Sequence, residues 1–199
     1  EASDGYFYGT AALNNGSPNN GRVFRLGRDG SFSVLHAFGS DGNPTSGLIE
    51  TENGDKLGTT TSSIFKIAVD GTFSTLRTLT QAEGAGAGLS TLTPGTDGFF
   101  YGTTPTTIFK VASDGSFVLL HTLTASEGRG FGPSAGYGPA SSALVLGSDG
   151  NFYGTTYSGG AANLGTVYRM TPAGQVTVLH SFAGGADGAA AAAGLIQAT

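Results

Sequence analysis

The sequence predicts an all-β chain, a β-propeller of four blades with four antiparallel strands each. Three observations carry this. Phe, Tyr, Val, Ile and Thr fall in runs of four to seven residues, separated by glycine-containing turns. Eight of the nine aspartates are followed directly by glycine, and Asp-Gly is a strong hairpin signal because both residues tolerate positive φ. Finally, one phrase recurs: "DGYFYGTA" from residue 4, "DGFFYGTT" from 97, "DGNFYGTT" from 149, and a worn "NGDKLGTT" from 53.

The elements follow in order from that phrase. Its Gly-Thr pair starts at Gly9, Gly58, Gly102 and Gly154, at spacings of 49, 44 and 52 residues. A second run comes next: "VFRL" (23–26), "IFKI" (64–67), "IFKV" (108–111) and "VYRM" (167–170). The turns "RDGS", "VDGT", "SDGS" and "PAGQ" lead into a third: "FSVLHAF" (32–38), "FSTLRTL" (73–79), "FVLLHTL" (117–123) and "VTVLHSF" (176–182). After a longer connection comes a fourth: "GLIE" (47–50), "GLSTL" (88–92), "ALVL" (143–146) and "GLIQ" (194–197). Repeats of about 40–50 residues with four strands are the signature of propeller blades.

The longest connections precede the GLI-type run, so that run opens each blade. We name the strands A (GLI-type), B (FYGT), C (VFRL) and D (VLHAF). Strand A is short and apolar, which suits the innermost position, and D suits the outer edge. The blades are then 47–79, 88–123 and 142–182, with a first blade built from 4–38 and completed by the C-terminal strand 194–199. Such closure leaves that blade no loose edge.

Composition excludes several function classes. Fourteen acidic residues against nine basic give a net charge of −5, which argues against a nucleic-acid partner. No apolar run reaches bilayer length. The absence of cysteine removes disulfides, thiolate metal sites and thiol nucleophiles. Few Lys and Glu beside abundant Gly, Ala, Ser and Thr lean towards a secreted bacterial surface protein. The start at Glu1, without a signal-like segment, is expected of a processed product or an excised part.

The pattern "DGNFYGTTYSGG…GTVYRMTPAGQVTVLHSF…DG…AGLIQAT" (149–199) resembles the GloVer-type tandem repeat of bacterial choice-of-anchor surface proteins. The resemblance covers nearly the whole chain. It is strongest in the fourth and first copies, clear in the third and eroded in the second, where "DKLGTT" replaces "FYGTT". Pro44 fits a proline usual in the D-to-A connection, while the alanine run 189–193 departs from it. The resemblance implies export and surface display, and it brings no catalytic residues with it.

Candidate sites separate into repeat positions and departures from the repeat. His36, His121 and His180 share one repeat position, which Arg77 fills in the remaining blade. By strand alternation His36 shares a face with Phe32, Val34 and Phe38, and His180 with Val176, Val178 and Phe182. Equivalent outer-strand positions diverge around a ring, so hydrogen-bonded structural histidines are expected rather than a metal site. Arg25, Lys66, Lys110 and Arg169 also repeat, and are expected to pair with aspartates of neighbouring turns. No paired carboxylates, calcium loop or nucleophile elbow stands out, and glycines 84–88 lack a following helix. No catalytic, metal or cofactor residue is therefore assigned.

The departures are loops, where specificity resides on a rigid scaffold. They are 11–21 ("AALNNGSPNNG"), 157–165 ("YSGGAANLG") and the long connection 124–141. Ligand or assembly contacts are expected from Asn14, Asn15, Arg129, Phe131, Tyr137 and Tyr157. The formal sequon Asn15-Gly16-Ser17 has little weight in a bacterial protein.

The expected function is a non-catalytic extracellular module for structure or self-assembly, in a surface layer or filament. Its partner is then another copy, with 194–198 either completing its own ring or donated to strand 6–10 of the next copy. The alternative is a lectin-like propeller that binds extracellular polysaccharide through its loops.

Overall fold

The computed structural model describes residues 1–12, 21–39, 42–86, 88–129, 143–191 and 193–198. The array is all-β, and the sheets are antiparallel meanders. The first holds β1 (Phe7–Ala12), β2 (Gly21–Leu26) and β3 (Phe32–Phe38). The second holds β4 (Ile49–Glu50), β5 (Lys56–Thr59), β6 (Ser63–Ile67) and β7 (Phe73–Thr78). The third holds β8 (Thr93–Pro94), β9 (Phe100–Thr103), β10 (Thr107–Val111) and β11 (Phe117–Thr122). The fourth holds β12 (Val145–Leu146), β13 (Phe152–Thr155), β14 (Thr166–Met170) and β15 (Val176–Ser181). The order A, B, C, D is that expected for propeller blades.

The recurring phrase is explained by close packing. In each B strand the glycine faces the aromatic of strand C: Gly9 meets Phe24, Gly58 Phe65, Gly102 Phe109 and Gly154 Tyr168. A Cβ there would come within 2.5 Å of the aromatic side chain, so any larger residue would force it to shift. The threonine after it is a staple to the following blade. Thr10 Oγ1 donates to Ser46 O at 2.8 Å and Thr59 Oγ1 to Ser90 O at 3.2 Å. The second threonine closes the B-to-C turn, with Thr60, Thr104 and Thr156 hydroxyls accepting from the N–H of Ser63, Thr107 and Thr166. The aspartate of the phrase accepts from the tyrosine four residues on, Tyr8 to Asp4, Tyr101 to Asp97 and Tyr153 to Asp149.

The core lies between blades, in three clusters. Val23 and Phe38 of the first blade pack on Phe65 and Ile67 of the second. Ile64 and Leu79 of the second pack on Phe109 and Val111 of the third. Ile108 and Leu123 of the third pack on Tyr168 and Met170 of the fourth. Each fully buried apolar side chain contributes about 1.5–3 kcal/mol. One interface is thus built three times, from the Val/Ile face of one blade and the aromatic face of the next.

Two expectations are corrected here. Each D strand carries a β-bulge opposite strand C, so Val23 pairs with His36 while Phe24 pairs with Val34. The same shift occurs in the other three blades. Phe32 and Val34 therefore lie on the opposite face from His36 and Phe38, and Phe38 is buried while Phe32 is exposed. Likewise Val178 pairs with Tyr168 but His180 with Val167. A bulge inserts one residue and reverses the alternation beyond it.

The second correction concerns closure. Among the described residues the first sheet has three strands, and 194–198 forms none with it. That segment lies instead beyond the fourth blade. Thr155 Oγ1 donates to Ala193 O at 3.1 Å, the same staple that Thr10 and Thr59 make to their neighbours. Gln197 Nε2 donates to Ser148 Oγ at 2.9 Å, and Gln197 Oε1 accepts from Ser148 N at 3.1 Å. The segment occupies the place of a next blade's A strand.

Candidate functional site

The titratable residues are held locally. His121 Nε2 lies 3.0 Å from Glu127 and His180 Nε2 3.0 Å from Asp187. In the second blade Arg77 reaches Glu83 at 2.6 Å. The same carboxylates accept backbone N–H groups of the tight turns after strand D, from Thr124, Ala183 and Thr80. Each pair latches the end of a D strand to its own outgoing turn. His36 stacks on Phe73 of the next blade, with ring centroids 3.5 Å apart. The three histidines sit in three different blades, and among the described residues no group of three metal-ligating side chains occurs.

The repeated cations of strand C lie beside the turns at the opposite end. Lys110 pairs with Asp97 at 2.9 Å and Lys66 with Asp55 at 3.5 Å, while Arg25 covers the Tyr6 ring. The eroded copy adds a network at the first blade interface. Lys56 replaces the phenylalanine of the phrase and is buried, donating to Glu50 at 3.0 Å and Gly54 O at 2.5 Å. The Ser3 hydroxyl and the Lys56 ammonium together hold the Glu50 carboxyl down at about 2.

The loop residues are only partly joined. Arg129 and Ser158 form an antiparallel bridge, and Tyr157 N donates to Arg129 O at 3.0 Å. The connection after the third blade is thereby knitted to the B-to-C loop of the fourth, bringing Arg129 beside Tyr157. Asn14, Asn15, Phe131 and Tyr137 lie outside the described residues.

Sequence reasoning missed the two end faces of the array. Leu26 is 37 % exposed, whereas its equivalents Ile67, Val111 and Met170 are at most 1 % exposed. Phe7 is 42 % exposed, against 9 % for Phe100 and 1 % for Phe152. Phe32 and Val34 continue this apolar strip across the aromatic face of the first blade. On the Val/Ile face of the fourth blade, Val167 and Phe182 are half-buried where Ile108 and Leu123 are buried. Leu179 is 51 % exposed there. Its equivalents Leu35, Leu76 and Leu120 are half-buried beneath the C-to-D turn glycines of the next blade, Gly71, Gly115 and Gly174. The sequence signal was available: a repeat position is buried only where the neighbouring copy exists. Beside this face, a cleft of about 440 Å³ is lined by Val145, Ser148, Tyr153, Leu195, Ile196 and Gln197.

The fold has solved counterparts. Virginiamycin B lyase from Staphylococcus aureus superposes with a TM-score of 0.61 at 19 % identity, over 89 % of this chain and 53 % of the lyase. A streptogramin B lyase gives 0.58 at 17 %, over 89 % and 60 %. The extracellular domain of a hybrid two-component system from Bacteroides thetaiotaomicron gives 0.55 at 15 %, over 89 % and 22 %. At these identities the likeness is one of fold, and the chain spans about half the length of the virginiamycin lyase. No curated protein matches the sequence. The Gloeobacter/Verrucomicrobia repeat matches residues 62–199, and the chain belongs to that family.

Proposed function

We propose that this chain is a non-catalytic extracellular structural module that self-assembles through the ends of its blade array. One observation carries the reading: apolar positions are less buried at the two ends of the array than inside it, Leu26 and Phe7 being exposed at one end and Leu179 at the other beside half-buried Val167 and Phe182. The two ends present opposite halves of the interface repeated within the molecule, so each can cover the other in a neighbouring copy. An extracellular setting draws support from the structural likeness to an extracellular domain, and no described helix is long and apolar enough to cross a membrane. The non-catalytic reading draws support from the titratable groups, which are engaged by turns and latches of their own blade or, at Glu50 and Lys56, by Ser3 and Tyr8 across the first blade interface. Sedimentation velocity and negative-stain imaging of the undiluted protein test the reading. Species larger than the monomer, growing with concentration, are expected; a monomer across the micromolar to millimolar range would overturn assembly.

Polysaccharide binding is the second reading, favoured by the bridge that sets Arg129 beside Tyr157. It predicts saturable binding to a defined glycan, weakened by Tyr157→Ala, Phe131→Ala or Tyr137→Ala. A broad glycan array without a hit would end it.

A further inference from the structure

We infer that a second copy docks head to tail, with residues 194–197 of one copy pairing as strand A on β1 of the next. This rests on the assembly reading above and names its partner and contact. The argument is continuity with the interface already built three times. In the complete sheets strand A pairs antiparallel with strand B, Ile49 opposite Leu57 and Glu50 opposite Lys56, and Val145 opposite Tyr153 and Leu146 opposite Phe152. The same register sets Ile196 opposite Tyr8 and Gln197 opposite Phe7 of the next copy. The donor segment already holds its position, stapled to the fourth blade through Thr155 and Ser148. Its Ile196 is 92 % exposed, which is costly for an isoleucine without a partner. Among the described residues the acceptor β1 pairs with β2 alone. Its free edge is the one that strand A covers in the other three sheets.

The side chains agree with the backbone. Between the third and fourth blades Tyr101 stacks on Phe152 with centroids 4.0 Å apart. Between the first and second, Lys56 takes the phenylalanine's place, its ammonium 4.7 Å from the Tyr8 ring. At the open end Tyr153 lines the cleft, and the residue that the repeat brings to it is Phe7 of the incoming copy. Behind Phe7, Leu26 and Phe32 meet Val167, Leu179 and Phe182. The interface is heterologous, so it grows open chains of copies or closes a ring according to the rotation per copy.

The chain has no cysteine, so Ile196→Cys carries a benzophenone maleimide at a single thiol. This position is exposed, and the variant is expected to fold as the parent does. Isotope-labelled and unlabelled chains are mixed, irradiated and mapped by mass spectrometry, alongside sedimentation of the parent. Association with cross-links between differently labelled chains, landing on 7–12, is the expected result. Association with cross-links elsewhere would overturn strand pairing and leave the assembly reading standing. A monomer at all concentrations would overturn both. Cross-links to 7–12 within one chain would then mean that the ring closes on itself, and no cross-link there would give the faces to another occupant, such as further blades. As an independent check, Leu26→Asp on the acceptor face is expected to weaken association about tenfold or more.

Discussion

At the scale of single residues, the recurring phrase is a set of four mechanical fittings. Aspartate holds the turn and tyrosine, glycine admits the strand-C ring, one threonine staples the next blade, and the other closes a turn. Gly102→Ala puts a methyl against Phe109 and the Leu92 side chain, both buried. Overpacking of this kind is expected to cost about 1–3 kcal/mol, read from urea unfolding. Gly9→Ala is expected to cost less, because Phe24 on the open face can swing outwards. Equal costs would mean that the first blade is packed as tightly as the third. Thr59→Val removes a fully buried hydroxyl bonded to Ser46 Oγ at 2.7 Å and to the carbonyl oxygens of Leu89 and Ser90. A loss of about 1–2 kcal/mol is expected by the same measurement.

At the scale of the element, the turns and latches make the fold sensitive to acid. The Asp29, Asp70 and Asp114 carboxylates are held below their usual range by hydrogen bonds from the residue two positions on. Glu83 is held down by the Thr80 N–H and Arg77, and Glu50 most strongly, to about 2 against an ordinary 4.5. A folded-state value below the unfolded one gives stability that is complete above the unfolded value and lost as pH falls through the folded one. The melting temperature is thus expected to hold near neutrality and to fall between about pH 4.5 and 2. Glu50→Gln should flatten part of that slope; a melting temperature unchanged down to pH 3 would dismiss the carboxylates as stabilisers. The turns and the strands B, C and D were legible because Asp-Gly and period-two runs are local signals. The bulge was not, because nothing in "FSVLHAF" marks Leu35 as the inserted residue, and so the face of His36 was misassigned. The latches were half-visible, since Arg77 and His121 each stand six residues before their glutamate. The partner of 194–198 was illegible, because its motif specifies a strand A without saying whose B strand it joins.

At the scale of the whole molecule, a repeat position has no fixed burial, and this property gives a sharp test of the open array. Leu26 and Ile67 occupy the same place in strand C, Leu26 between Phe7 and Phe32 of its sheet and Ile67 between Lys56 and Phe73. Ile67 is sealed by Val23 and Phe38 of the preceding blade, whereas Leu26 is 37 % exposed. An aspartate at position 67 must shed its water, and the cation opposite it in the ladder, Lys56, is already engaged by Glu50 and Gly54 O. Ile67→Asp is therefore expected to cost about 4 kcal/mol or more and to leave little folded protein. Leu26→Asp keeps its carboxylate in solvent, and the dilute protein is expected to unfold within about 0.5 kcal/mol of the parent. The same change should shift the concentration dependence of the melting temperature to higher protein concentration, because a partner that binds only the folded state raises it by mass action. If Leu26→Asp proves as damaging as Ile67→Asp in dilute solution, the first blade's face is covered within one chain, and the ring closes on itself.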